Sequence, residues 1–258
     1  MSLAISTLFS VAGKTVVITG GSRGIGEMIA RAYVENGATV ILTARKAADV
    51  LALAADLGPA AHAIPADLSQ MGEMDRFVAE VAKITPKVDI LFNNAGATWG
   101  APFASFPEAG WDKIMDINVK SVFFLTQKML HLLEAAATPE SHARVINIGS
   151  IDGQHVSQLE TYSYAASKAA VLHLTKMMAR FLAPRNIAVN AIAPGYFPSK
   201  MTAAIPDVFT AKSIQETPMK RQGTAEDMAG VALFLGSPAS AFLCGSVITA
   251  DGGYATTV

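Results

Sequence analysis

The feature that most constrains the fold is a repeated alternation of two kinds of segment. Short runs rich in β-branched residues alternate with longer stretches rich in Ala, Leu and Met that have helical periodicity. This order is typical of repeated strand–helix units around a parallel sheet. We predict seven strands, at residues 15–19, 39–43, 62–65, 89–92, 144–149, 188–192 and 246–250. The expected fold class is therefore α/β, a doubly wound seven-stranded parallel sheet with helices on both faces.

Length and composition favour a single domain over residues 1–258. No linker-like stretch or repeat interrupts the alternation, although residues 196–223 form a long, irregular connection that we expect to act as a substrate lid. Charged residues are 16% of the chain and hydrophobic residues 51%, whereas average soluble proteins have roughly 25% charged residues. We expect subunit interfaces to cover the surplus apolar surface.

Several other classes of protein are disfavoured. Since no run of about 18 or more residues is continuously apolar, no membrane span is predicted. The start of the chain lacks the basic region of a secretory signal, so we expect a cytoplasmic protein. A single cysteine, Cys244, excludes an internal disulfide, and a net charge of -1 offers no footprint for nucleic acid. The five histidines show no metal-ligand spacing, and no metal site is predicted.

A glycine-rich turn follows the first predicted strand. Gly20, Gly24 and Gly26 have the spacing GxxxGxG and precede an amphipathic helix predicted over residues 25–36. Glycine permits a tight turn with positive φ, and the backbone N–H groups of the turn and helix N-terminus attract a pyrophosphate. The turn alone also fits a strand-to-helix connection without a ligand.

The second predicted strand ends in residues that favour NADP(H) over NAD(H). An acidic residue at this place usually binds the adenosine ribose 2′-OH, whereas an arginine accommodates a 2′-phosphate. Here the strand ends Thr43-Ala44-Arg45, without an acid, and Arg23 in the glycine turn is a second cation. The alternative is that both arginines are ordinary surface charges.

Tyr164 and Lys168 are four residues apart in a helix predicted over residues 162–184, so their side chains project from one face. A neighbouring ammonium stabilises a phenolate and lowers the pKa of a tyrosine toward the range useful for proton transfer. The spacing alone equally fits a packed aromatic ring beside a solvated charge.

Taken together, these residues resemble the short-chain dehydrogenase/reductase family, in its branch of shorter single-domain enzymes with a Rossmann-type fold. The resemblance covers essentially the whole chain. The matching positions are residues 19–26, Asp67, residues 93–96, Asn118, Ser150, Tyr164 with Lys168, Pro194-Gly195 and residues 251–253.

The resemblance implies a catalytic group of four residues. Tyr164 is the expected general acid for the carbonyl oxygen, and Ser150 the hydroxyl that orients this oxygen. Lys168 would hold the nicotinamide ribose and lower the tyrosine pKa, while Asn118 would kink its helix and support a water relay to the lysine.

The resemblance also implies an NADP(H) site. Asp67 is the expected adenine contact, and Ser199 stands where the family commonly has the threonine that contacts the nicotinamide carboxamide. The full expected set is Gly20, Ser22, Arg23, Gly24, Ile25, Gly26, Arg45, Asp67, Leu68, Asn94, Ala95, Gly96, Tyr164, Lys168, Pro194, Gly195, Phe197 and Ser199.

Within the family the chain is most similar to NADPH-dependent 3-oxoacyl reductases of the rhamnolipid-associated type, through residues 93–100, 110–111, 144–149 and 193–202. We expect a homotetramer that transfers hydride to a ketone, with a 3-oxoacyl thioester as one candidate. The predominantly apolar connections at residues 98–106, 151–161 and 196–223 should surround the substrate. Sugar, polyol and cyclic-ketone dehydrogenases are alternatives, as is a non-catalytic NADP-binding regulator.

A carrier-protein substrate would favour a basic rim around the site. The turn before the fifth strand instead contains Glu134 and Glu140, and the nearest strong bases are Arg144 and Arg185. The sequence therefore does not favour recognition of an acyl carrier protein, and free ketones, CoA thioesters and sugar-derived ketones remain open.

Overall fold

The computed structural model describes residues 3–199 and 207–257, and a parallel sheet forms its centre. The strands are β1 (Thr15–Thr19), β2 (Thr39–Thr43), β3 (Ala61–Ala63), β4 (Ile90–Asn93), β5 (Ala143–Ile148), β6 (Ile187–Pro194) and β7 (Val247–Ala250). Their order is β3-β2-β1-β4-β5-β6-β7, and every neighbouring pair is parallel. The predicted seven-stranded α/β fold is confirmed.

Helices cover both faces of this sheet. They are α1 (Ile5–Leu8), α2 (Gly24–Glu35), α3 (Ala47–Leu57), α4 (Met71–Ile84), α5 (Glu108–Met115), α6 (Ser121–Lys128), α7 (Leu130–Ala136), α8 (Tyr162–Leu182), α9 (Asp207–Glu216) and α10 (Ala225–Gly236). Helices α2, α3 and α10 pack on one face, and α4, α6, α7 and α8 on the other.

Successive residues of each strand enter opposite cores because strand side chains alternate between the two faces. Val17 of β1 and Ile41 of β2 are buried in the core under α4 and α8. Their neighbours Val16 and Val40 are buried in the core under α2 and α10. With both faces covered, the strands are almost continuously apolar, which is typical of a buried parallel sheet.

Several predicted boundaries differ from the structure by one or two residues, and proline explains one of the differences. Strand β3 ends at Ala63, although Ile64 N and Ala66 N still donate to the carbonyl oxygens of Leu42 and Ala44. Helix α8 ends at Leu182 and passes into a 3₁₀ turn that contains Pro184. Strand β6 runs on to Pro194, beyond the predicted residue 192, because it pairs with a strand on each side.

The connections that leave β1 and β4 at their carboxyl ends turn to opposite faces of the sheet, which opens a crevice between these strands. A π-helical turn, Asp116–Lys120, joins α5 to α6 beside this crevice. Such turns are frequent at functional sites because they redirect one side chain out of the regular helical pattern.

No helix in the described parts of the chain is long and apolar enough to cross a membrane. This finding does not test the predicted cytoplasmic location, which stays a prediction.

Candidate active site

A cavity of about 930 Å³ occupies the crevice at the carboxyl ends of the strands. Segments that follow β1, β2, β3, β4, β5 and β6 line its wall. The volume lies within the range of small-molecule and cofactor sites. The predicted site residues at this cavity are Gly20, Ser22, Arg23, Gly24, Ile25, Arg45, Asp67, Leu68, Asn94, Ala95, Gly96, Ser150, Tyr164, Lys168, Pro194, Gly195, Phe197 and Ser199.

The glycine turn presents open backbone groups to this cavity. Gly20 and Gly24 have φ angles of +62° and +55°, in the left-handed region that favours glycine. Helix α2 begins at Gly24, and its N-cap residue, Arg23, makes no side-chain capping hydrogen bond to the described residues. The first N–H groups of α2 therefore remain available to an anion, as a pyrophosphate requires.

Gly26 has a different place from the one predicted. It does not line the cavity, because it lies behind the turn where the helix packs on the chain. A Cβ at this position would lie 2.4 Å from the Gly20 carbonyl oxygen and 2.6 Å from Asn94 Nδ2. Glycine at this position permits this close packing, and the contact of Gly26 with the cofactor stays a prediction.

Thr19 ties the glycine turn to the segment that follows β4. Its hydroxyl accepts hydrogen bonds of 2.9 Å from the backbone N–H groups of Asn94 and Ala95. Asn94 Nδ2 in turn donates to the carbonyl oxygens of Thr19, at 2.8 Å, and Gly20, at 3.1 Å. These bonds hold two walls of the cavity in a fixed relation.

The end of the cavity near β2 is rich in charge. Arg23 and Arg45 lie there as predicted, together with Lys46 and Asp49, which the sequence analysis missed. The Thr43 hydroxyl, also at this wall, is buried without a hydrogen-bond partner among the described residues. A buried hydroxyl normally has a partner, so Thr43 fits a contact with a polar group of a bound ligand.

The three residues expected to handle the carbonyl group meet at the other end of the cavity. Lys168 Nζ donates to the Ile148 carbonyl oxygen at 2.7 Å and lies 5.6 Å from the centroid of the Tyr164 ring. Ser150 hydrogen-bonds the Tyr164 side chain. The strand end, the turn after it and helix α8 thus bring one hydroxyl, one phenol and one ammonium together.

The pKa of Tyr164 shifts in the direction opposite to the predicted lowering. Burial raises the pKa of Tyr164 to about 12, while the hydrogen bond with Ser150 opposes this change and the charge of Asp152 adds to it. Burial also lowers the pKa of Lys168 to about 8. Desolvation outweighs the expected attraction because both groups lie in a protein interior that penalises charge.

Asn118 is placed behind the cavity wall. Its Nδ2 donates to the Ala97 carbonyl oxygen at 3.0 Å and to Ser167 Oγ at 2.9 Å, and its Oδ1 accepts from Ala97 N at 2.9 Å. Asn118 lies in the π-helical turn Asp116–Lys120, as expected of a residue that kinks its helix. The water relay to Lys168 stays a prediction.

The predicted substrate connections are only partly at the cavity. Thr98 lines it, whereas Phe103 and Val156 have exposed fractions of 79% and 88%. The predicted lid over residues 196–223 contains α9. Residues 200–206 of this lid lie outside the described residues. Gln158 of the second connection donates to Glu216 of α9 at 3.3 Å, so these two connections contact each other.

No group of three or more His, Cys, Asp or Glu side chains within residues 3–199 and 207–257 is arranged to hold a metal ion.

Comparisons with known proteins agree with this geometry. A family model described as enoyl-(acyl carrier protein) reductase matches residues 20–255. A rhamnolipids biosynthesis 3-oxoacyl-[acyl-carrier-protein] reductase of Pseudomonas aeruginosa is 44% identical over 252 residues, which are 95% of this chain and 98% of the relative. A 5-keto-D-gluconate 5-reductase of Escherichia coli is 37% identical over 260 residues, covering 98% of this chain and 100% of the relative.

A solved structure of the RhlG/NADP active-site complex of Pseudomonas aeruginosa superposes with a TM-score of 0.92 at 44% identity. The match covers 96% of this chain and 98% of the solved one. Since both the family model and relatives above 30% identity span nearly the whole sequence, the predicted resemblance is confirmed. The chain belongs to the short-chain dehydrogenase/reductase family.

Proposed function

We propose that this protein is an NADP(H)-dependent carbonyl reductase, which interconverts a ketone and the corresponding secondary alcohol. The predicted oxidoreductase class and NADP(H) cofactor are confirmed by the relatives and by the NADP complex among the solved structures. The observation that carries the proposal is the arrangement of one cavity, with an anion-binding turn and two arginines at one end and Ser150, Tyr164 and Lys168 at the other.

The residues present fit this cofactor. The open N-terminus of α2 and the turn at Gly20 suit a pyrophosphate, and Arg23 and Arg45 suit a 2′-phosphate. Thr43 supplies a buried hydroxyl at the same wall. When bound, NADPH supplies the hydride that the carbonyl carbon accepts.

The chain's own residues manage the proton and the carbonyl oxygen. Ser150 Oγ and the Tyr164 hydroxyl are placed to donate hydrogen bonds to this oxygen, which polarises the C=O bond. Tyr164 then donates its proton to the oxygen as the carbon is reduced. With its pKa raised to about 12, Tyr164 remains protonated near neutral pH, as an acid must be before the reaction.

Lys168 supplies the positive charge behind Tyr164. Its ammonium lies beside the tyrosine ring and is oriented by its bond to the Ile148 carbonyl oxygen. A phenolate left by proton transfer is stabilised by this charge. A proton from solvent then restores the Tyr164 hydroxyl, and Lys168 remains an ammonium.

The substrate is best described as a ketone, either free or part of a thioester. The named substrates of the relatives include a carrier-linked 3-oxoacyl group and a keto-gluconate. Arg144 and Arg185 lie at the amino ends of β5 and β6, at the edge of the sheet opposite the cavity. Arg144 is buried and donates to the carbonyl oxygens of His142 and Ser237, at 2.8 and 3.0 Å. Arg185 is engaged by Glu134. These two bases are therefore not part of the rim that a carrier-linked substrate would meet.

A screen of NADPH oxidation tests this function. The panel contains 3-oxoacyl groups on carrier protein and on CoA, 5-ketogluconate, diketones and cyclic ketones, with Tyr164→Phe as the inactive control. We expect turnover of at least one of these carbonyl compounds, and the one with the highest kcat/KM identifies the substrate class. NADPH binding without turnover of any carbonyl would instead support the non-catalytic regulator.

We also propose a homotetramer with twofold symmetry. Exposed apolar side chains support it: Met177 and Phe181 lie on the outer face of α8, and Phe242 lies in the segment before β7. Identical copies of such faces can bury each other across a twofold axis. Light scattering at micromolar concentration should give about four times the 27.0 kDa chain mass, and a stable monomer would contradict the proposal.

A further inference from the structure

Asp152 follows Ser150 by two residues and lies in a short turn that the catalytic roles described above do not use. The turn is a 3₁₀ helix, Ile151–Gly153, directly after β5. Asp152 N donates to Ser150 Oγ at 3.1 Å, and Gly153 N donates to the Ser150 carbonyl oxygen at 3.1 Å. These two bonds fix the turn to the residue that orients the carbonyl oxygen.

The same turn is packed tightly against helix α8 at Lys168. A Cβ on Gly153 would lie 2.7 Å from the Lys168 carbonyl carbon and 2.8 Å from Ala169 N. Because backbone meets backbone here, only glycine permits the approach. The neighbouring Asp152 carboxylate is thereby held within electrostatic reach of Tyr164 and Lys168.

The titratable groups around this carboxylate come from two elements. His155 lies on the same connection, and Lys168 and Tyr164 come from α8. Burial raises the pKa of Asp152, while His155 and Lys168 lower it. For Lys168, burial lowers the pKa and Asp152 opposes that change. Within the described residues, no acidic side chain other than Asp152 contributes to the pKa of Lys168.

We propose that Asp152 is a positioning residue of the active site, whose carboxylate stabilises the buried Lys168 ammonium beside Tyr164. The catalytic meaning of this inference rests on the proposed reductase function. A buried ammonium without a counter-charge releases its proton because its surroundings cannot solvate it. Asp152 therefore keeps the lysine positively charged at the pH where Tyr164 transfers its proton.

Loss of the Asp152 carboxylate should change the pKa of Lys168 in a predictable direction. In Asp152→Asn the side chain keeps its size, but the negative charge beside Lys168 is gone. Lys168 should then lose its proton at lower pH, by about one pH unit, the lower end of the effect of a nearby opposite charge. Asp152→Glu restores the negative charge. It should therefore restore the titration midpoint of Lys168, the pH at which half of the lysine is deprotonated.

The first experiment measures this midpoint without turnover. The full-length protein is labelled with ¹³Cε-lysine, and the Lys168 signal is assigned by its loss in Lys168→Arg. NMR titrations compare the wild type, Asp152→Asn, Asp152→Glu and, as a surface control, Asp75→Asn, whose carboxylate pairs with Lys128. A midpoint in Asp152→Asn that is unchanged or higher overturns the proposal. Asp152→Ser is the second variant should Asn fail to fold.

The second experiment records kcat against pH with a ketone from the screen. We expect the alkaline limb of Asp152→Asn to move down with the NMR midpoint, while Asp152→Glu and Asp75→Asn follow the wild type. A uniform loss at every pH would mean that Asp152 only supports the turn, and would overturn the proposal. A shifted NMR midpoint in a protein that reduces no carbonyl would contradict the proposed function and leave the electrostatic inference intact.

Discussion

Arg23 and Asp49 form an ion pair across the cavity wall, with 3.8 Å between Arg23 Nη1 and Asp49 Oδ2. Arg23 lies in the glycine turn, and Asp49 lies in the first turn of α3. Both residues line the end of the cavity where a 2′-phosphate is expected. Arg23, which should attract the phosphate, is thus already paired with Asp49, whose carboxylate should repel the phosphate.

Replacing Asp49 should strengthen NADP⁺ binding. Asp49→Asn removes the repulsion and frees Arg23, a change worth about 0.5–1 kcal/mol for partly exposed charges, or roughly two- to fivefold in affinity. NAD⁺, which lacks the phosphate, should bind almost as before. Calorimetry at low and high salt measures both affinities, with Asp56→Asn, which pairs with Arg31 at 2.8 Å, as the matched control. Weaker NADP⁺ binding would show that Asp49 instead orients Arg23.

Cofactor preference should reverse when the residues after β2 are exchanged. We expect Arg45 to make a charge-assisted contact to the phosphate worth at most about 1.5–3 kcal/mol. Ala44→Asp combined with Arg45→Ala replaces this contact by repulsion and offers an acceptor to a free 2′-hydroxyl. We expect the wild type to prefer NADPH and the double variant to shift toward NADH, measured as ratios of kcat/KM. A wild type that already prefers NADH would refute this reading of Arg45.

Tyr164→Phe should nearly abolish turnover and leave NADPH binding almost intact. The substitution deletes one hydroxyl, and general acid catalysis typically contributes about 10²- to 10⁴-fold. Steady-state kinetics and fluorescence titration with NADPH separate the two effects. Activity close to that of the wild type would remove Tyr164 from the role of acid.

Reduction should fall as the pH rises through about 8. Because burial lowers the pKa of Lys168 to about 8, its ammonium is present below this pH and is lost above it. Tyr164, with a pKa near 12, stays protonated across the same window and does not cause the decline. The profile of kcat/KM between pH 6 and about 10 checks the sign, and activity that rises steadily through this window would contradict it.

Gly26→Ala should destabilise the protein and weaken cofactor binding. The added methyl group would meet the Gly20 carbonyl oxygen at 2.4 Å, so the glycine turn must move, at a cost of about 1–3 kcal/mol. Gly230→Ala is the matched control, because nothing lies within 4 Å of its Cβ and α10 should gain about 0.5–1 kcal/mol. Thermal unfolding of both variants measures the difference. If Gly26→Ala and Gly230→Ala stabilised the protein equally, the glycine turn would be able to move at little cost in free energy.

Much of the site could be predicted because its residues follow strand ends. Ser150 and Asn94 lie within two residues of a strand end, and parallel strands bring such positions to one edge of the sheet. The pKa of Tyr164 could not be predicted in this way. The spacing of Tyr164 and Lys168 indicates their shared face, whereas the desolvation that governs both groups depends on everything packed around them.

Asp49 and Asp152 were missed for a related reason. Neither has a motif or a periodicity that marks it, and each acts through a residue distant in sequence. Asp49 meets Arg23 only because α2 and α3 lie side by side on one face of the sheet. Asp152 reaches Lys168 only because Gly153 lets its turn pack on α8.

The sequence by itself determined the α/β class, the seven strands, the glycine-rich turn after β1 and the shared helix face of Tyr164 and Lys168, since these depend on local periodicity and on short spacings. Only the tertiary structure decided which charges compensate each other and which groups lose their water. The position of Gly26 behind the turn and the raised pKa of Tyr164 both follow from packing between segments far apart in the chain. Hydration and charge pairing depend on three-dimensional neighbours, which no local pattern records.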